Sequence, residues 1–223
     1  MKYLLVFILA VMLPQHSWSQ NDQVIQDPAA GQILERVAQK FTSMKSMQSD
    51  FELVIEDRKE NTRNTSAGNL LMKQKKYRLT SEGNTVYYNG STMWTYNTTG
   101  NEVTITEPEI QPGDFMGNPT SFFSSYKNDF KYRYLREAFK NGQSCHEIDL
   151  FPKNLNQPYS RIKIFVNKQT NLPVVISSIG KDGVDYTVTL KNLFLDKEIA
   201  DTEFIFDPAK HKKVEVVDMR GVE

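Results

Sequence analysis

Few residues of this chain have the type and spacing that chemistry requires. Histidine occurs three times, and past the N-terminal apolar stretch only His146 and His211 remain, neither in a metal or triad spacing such as His-Glu-x-x-His. Cys145 and His146 are neighbours in sequence. In a strand, however, consecutive side chains point to opposite faces, which separates a nucleophile from its base. The carboxylate pairs Glu56/Asp57 and Glu107/Glu109 fall in turns or loop margins, whereas a glycosidase pair must face each other across a sugar. There is no Gly-x-Ser-x-Gly elbow, no phosphate-binding loop and no dinucleotide fingerprint. Lys73 to Lys76 with Arg78 form a basic stretch interrupted by Gln74 and Tyr77. It reads as a strand face flanking a turn, able to meet an acidic partner. The expectation is therefore a protein that is not an enzyme, with no catalytic residue, metal or cofactor.

Bulk charge selects no partner either. The 223 residues carry 27 Lys+Arg against 27 Asp+Glu, which excludes a polybasic nucleic-acid binder and an acidic disordered tail. Residues 1–19 stand apart: Lys2 precedes an apolar run from Tyr3 to Leu13, followed by Pro14 and Ser17-Trp18-Ser19. This is the pattern of a signal peptide cut after Ser19, too short to span a bilayer of about 30 Å. The expected domain is 20–223, a single exported domain in an oxidising compartment. Its lone Cys145 has no internal disulfide partner. No cysteine follows the apolar run, so the chain is not expected to be a lipid-anchored protein itself.

What must position any site is a mixed set of elements. After a loose leader over residues 21–31, Ile33, Leu34, Val37, Phe41, Met44 and Met47 form one apolar stripe at helical spacing, predicting an amphipathic helix of roughly four turns. From Ser49 the period changes to two. Phe51, Leu53 and Ile55 alternate with polar neighbours, then Leu70, Met72, Tyr77 and Leu79, as in half-buried antiparallel strands. Asn89-Gly90 predicts a two-residue type I′ turn that pairs Val86 with Met93 and Tyr87 with Thr92. Both faces of that hairpin carry apolar bulk, so the sheet is expected to be covered on both sides. Glu107 to Asn118 is a long connection containing Pro108, Pro112, Gly113 and Gly117. Asn118-Pro119 is a helix start, leading into Phe122, Phe123 and Tyr126. Strands are expected again over 131–135, 145–151, 161–167, 173–179 and 185–194, in an antiparallel meander, sandwich or barrel.

The unusual feature is aromatic and flexible apolar bulk without chemistry: Met72, Tyr77, Tyr87, Tyr88, Met93, Trp94, Tyr96, Phe115, Met116, Phe122 and Phe123. A sheet curved around them and closed by two helices would leave a lipid-sized cavity.

At this point the chain resembles the LolA family of periplasmic lipoprotein carriers. Four segments carry the likeness: the helix 33–47 running into Ser49-Asp50-Phe51; Gly68-Asn69-Leu70-Leu71-Met72-Lys73 with Lys76-Tyr77-Arg78-Leu79; the hairpin Tyr88 to Asn97 with its Asn-Gly-x-x-x-Trp-x-Tyr; and Phe204-Ile205-Phe206-Asp207-Pro208 through Arg220. The resemblance implies a mainly β (α+β) fold, an incomplete antiparallel barrel of about eleven strands with a helical lid over a hydrophobic cavity. It implies a carrier that takes acylated lipoproteins from an inner-membrane ABC-type release complex to an outer-membrane acceptor lipoprotein, or to the outer membrane directly, as a periplasmic monomer. Tyr77 and Leu79 fall where the family has cavity and mouth residues, Trp94 and Tyr96 match the hairpin motif, and Phe122 and Phe123 match the lid helix by position. Leu70, Met72, Val37 and Phe41 complete the expected lipid-binding set, and Tyr77→Glu is expected to impair lipid handling with the fold intact. Many members have Arg-Pro after the lysine of the second strand, the arginine holding the lid closed, where this chain has Gln74-Lys75. Lys73 or Lys75 lacks the planar fork of guanidinium. A carrier or sensor of another lipid, and a regulatory lipid- or protein-binding module, are the alternatives.

Overall fold

The computed structural model describes residues 26–107 and 119–221; the expected signal peptide, Phe115, Met116 and the helix-start Asn118 lie outside them. The chain enters at helix α1 (Pro28–Ser43) and lays down strands β1 (Met47–Asp57), β2 (Thr62–Lys73), β3 (Lys76–Ser81), β4 (Asn84–Tyr88), β5 (Met93–Asn97) and β6 (Glu102–Thr106). Helix α2 (Pro119–Asp129) leads to β7 (Phe130–Lys140), β8 (Gln143–Pro152), β9 (Tyr159–Asn167), β10 (Pro173–Gly180) and β11 (Val184–Leu195). Two 3-10 turns, Asp201–Phe204 and Pro208–Lys210, precede β12 (Glu215–Asp218).

The twelve strands of the described residues form one open, curled sheet in the order β12-β6-β5-β4-β3-β2-β1-β11-β10-β9-β8-β7. Two antiparallel meanders meet where β1 pairs with β11, and only β12 with β6 is parallel. The expected incomplete barrel with helices is the observed architecture, with one strand more than the eleven expected.

Helix α1 begins and ends earlier than its apolar stripe suggests. Asp27 is the N-cap and Pro28 the first helical residue, while Met44 is the C-cap and Met47 already opens β1. Fixed φ at proline and a capping carboxylate start the helix inside the expected leader. One Asp27 oxygen accepts from the amides of Ala29 (2.8 Å) and Ala30 (3.4 Å), and the other accepts from the Tyr134 amide of edge strand β7 (3.1 Å). A single carboxylate thus caps α1 and ties it to the sheet edge.

The β4–β5 hairpin also departs from expectation. Tyr88 pairs with Met93 and Tyr87 with Trp94, so four residues rather than two make the turn. The Asn89 side chain accepts from the amides of Ser91 (3.0 Å) and Thr92 (2.9 Å), mimicking a backbone turn and leaving positive φ to Gly90 alone.

The main core lies between the concave face and the two helices, built from Leu34, Val37, Phe51, Leu70, Tyr77 and Phe130 among others. Gly68, opposite Phe51 on β1, makes room for that ring: a Cβ there would sit 2.3 Å from Phe51 Cζ.

Candidate functional site

Alternation along β2 to β5 turns Leu70, Met72, Tyr77, Leu79, Val86, Tyr88 and Met93 to one concave face. Tyr77 and Tyr88 are cross-strand partners with ring centroids 5.2 Å apart. Helix α1 lowers Val37 and Phe41 onto this face and α2 lowers Phe122 and Phe123. Phe41 stacks on Phe123 at 4.5 Å, Phe123 meets Phe122 edge-on at 4.7 Å, and Phe122 meets Phe130 at 6.2 Å. Of the ten residues expected to bind lipid, Leu70, Met72, Tyr77, Leu79, Val37, Phe41, Phe122 and Phe123 therefore converge in one interior. All but Phe41 are buried.

Trp94 and Tyr96 are not among them. Register with Tyr87 puts both on the outer face, where they pack with Val103 and Phe206. The C-terminal segment covers them there, with Phe206 5.1 Å from the Tyr96 ring and His211 stacked 4.6 Å from Phe206. The hairpin is covered on both faces, by different parts of the chain.

Beyond the buried Tyr88, the concave-face residues absent from the expected set include Val86, Met93 and Leu53. They are only half-buried, as is Phe41, so together they form the accessible rim of the interior. Tyr77 has no exposure at all. A glutamate at that position would bury a carboxylate among apolar side chains and unsettle the fold, contrary to the expectation that the fold would survive it.

The two helices are joined at their polar edges. Lys127 on α2 forms an ion pair with Glu35 on α1, and the Tyr126 hydroxyl lies 3.5 Å from the same carboxylate. The Lys127 hydrogen bond holds the Glu35 carboxyl below its ordinary value and Glu35 raises the Lys127 ammonium, while burial pushes the Tyr126 phenol up. Lys73 is committed elsewhere. Its ammonium donates to the Ile199 carbonyl and to Asp201, both at 2.8 Å, and Lys76 joins it on Asp201, whose carboxyl is held down to about 2. Gln74 sits in the tight β2–β3 turn with φ +55°.

Cys145 is buried with Ala138, Phe165 and Val175 on the outer face, and its thiol is pushed up by burial. His146 points the other way, toward Tyr134 at 5.7 Å. Among the described residues no group of His, Cys, Asp and Glu is placed to hold a metal ion.

A model of a family of uncharacterized proteins matches residues 79–194. An uncharacterized protein of Methanocaldococcus jannaschii is 25% identical over 191 residues, which cover 85% of this chain and 54% of that protein. The chain thus spans about half the length of this curated relative. Among solved structures, an uncharacterized conserved protein from Thermus thermophilus aligns with a TM-score of 0.57 at 13% identity, over 84% of this chain and 98% of that one. That likeness establishes a shared fold. A LolA superfamily protein from Nitrosomonas europaea aligns with a TM-score of 0.43 at 11% identity, over 80% of this chain and 98% of that one. At this distance the likeness carries no functional argument.

Proposed function

We propose, for a chain that belongs to this family of uncharacterized proteins, that it is a periplasmic carrier of acyl chains, taking lipoproteins released from an inner membrane to an outer one. The observation that carries this reading is the interior itself. Two helices meet the concave sheet through Val37, Phe41, Phe122 and Phe123, and at one edge the Glu35–Lys127 pair joins them. The resemblance of the four sequence segments to the carrier family supports the same reading.

The physical logic is that of a shuttle. Each buried methylene is worth about 0.8 kcal/mol, so an acyl chain stays in a membrane unless an equally apolar site receives it. The interior is closed by aromatic rings that fill it. Lifting the helices would exchange ring-to-sheet contacts for acyl-to-sheet contacts of the same kind. Loading and unloading can then run close to balance, and a small bias toward the open state shifts it. A carrier of this kind makes and breaks no bond, so it needs no catalytic group.

Binding of a synthetic triacylated lipopeptide tests this directly, read by displacement of a fluorescent fatty acid. Wild type is expected to bind one lipopeptide per chain. Met93→Glu, at the half-buried rim, is expected to lose binding at least tenfold with little change in melting temperature. Absence of displacement by wild type, or unchanged affinity in Met93→Glu, contradicts the assignment. Displacement by free phospholipid but not by lipopeptide would mark a carrier of another lipid.

A further inference from the structure

We infer that the outer face of β7–β9 is a docking surface for an anionic bilayer. The whole chain is balanced at 27 basic and 27 acidic residues, yet this face is not. Glu147 and Asp149, which are 1% and 0% exposed, sit in the middle strand and are neutralised locally. Glu147 accepts from Arg136 (2.8 Å) and Lys163 (2.6 Å), and Asp149 accepts from Arg161 (3.0 Å). One carboxylate therefore holds two cations, and a net positive charge remains even inside the paired cluster.

The edge strand adds more. Alternation places Lys131, Arg133 and Lys140 on the same face, all exposed and in no ion pair among the described residues. Arg133 lies 5.6 Å over the Phe151 ring and Lys140 4.9 Å over the Phe165 ring, so aromatic faces orient these cations. The one acidic residue of β7, Glu137, is turned to the other face and paired with Lys168. In contrast, β1 shows Asp50, Glu52 and Glu56 to the same outer side, so the basic face is confined to one end of the sheet.

Charge complementarity commits the surface to phosphate. The cations stand at strand spacing, about 7 Å for every second residue and about 5 Å between strands, in an open row. Such a row fits the repeating phosphates of a lipid surface.

The test is co-sedimentation of the full chain with vesicles of phosphatidylcholine alone and of phosphatidylcholine with phosphatidylglycerol, at low and high salt. Each cation near an anionic surface is worth roughly fivefold in partitioning. Wild type is expected to bind only the anionic vesicles and to be released by salt. Lys131→Ala, Arg133→Ala and Lys140→Ala combined are expected to weaken binding on the order of a hundredfold, with melting unchanged. Removing equal charge elsewhere, from Lys197, Lys210 and Lys212, should leave binding within severalfold of wild type. Equal binding to neutral vesicles, equal loss in both triple variants, or association with an acidic protein but not with vesicles would overturn the docking surface. Because these residues lie opposite the apolar interior, lipid uptake and membrane docking fail independently.

Discussion

Glu35 and Lys127 lie 92 positions apart in sequence, one on each helix, and their ion pair is a polar tie across the aromatic closure. Replacing Glu35 with Gln keeps the size and removes the charge. The expected outcome is several-fold faster ligand exchange, read by stopped-flow release of a fluorescent fatty acid, with unchanged secondary structure. The pH dependence follows from the direction of each shift. Glu35 is depressed in the folded protein, so its contribution is complete above the ordinary 4.5 and is lost as pH falls through the lower folded value. Lys127 is raised, so its contribution is complete below the ordinary 10.5 and is lost as pH rises through the higher folded value. Exchange should therefore be slowest between those limits and accelerate in acid, and the acid acceleration should vanish in Glu35→Gln. Nothing in the sequence signals this pair, because a surface Glu on one amphipathic helix and a Lys on another look like ordinary solvated charges until the fold crosses the helices.

Elements are legible in the sequence where their signal is local. The period-two stretches over β8 to β11 coincide with the strands formed, and Asn118-Pro119 announces the aromatic helix that starts at Pro119. The failures are at boundaries and register. Met44 and Met47 continue the helical wheel of α1 by position alone, but Met47 is drawn into β1 against Met72 and Leu195. A period of two also groups Trp94 with Tyr96 without saying which face they take. The four-residue turn and the pairing with β4 decide that, and both are set by the Asn89 side chain. Asp27 is the residue whose importance the sequence understates, since it caps α1 and holds it to β7. Asp27→Ala is expected to cost about 0.5–2 kcal/mol from the cap alone, with an added loss from the freed Tyr134 amide. A shift of the urea midpoint to lower concentration at constant slope checks this, and an unchanged midpoint contradicts it.

At the scale of the molecule, the sheet has three working surfaces. Its concave side gathers the aromatic interior, its outer side near β3–β6 is covered by the C-terminal segment, and its outer side at β7–β9 bears the unpaired cations. The segments that resemble a carrier family run through the first two of these surfaces, which is why the general fold could be anticipated. Composition conceals the third, because a balanced total says nothing of where charges segregate. The measurement that bears most directly on the carrier reading is native mass spectrometry of the protein isolated from its own cell envelope, with identification of whatever accompanies it. One acylated lipoprotein per chain, lost on Met93→Glu, is the predicted result. A chain that emerges free of any acylated molecule, in wild type and variant alike, would contradict it.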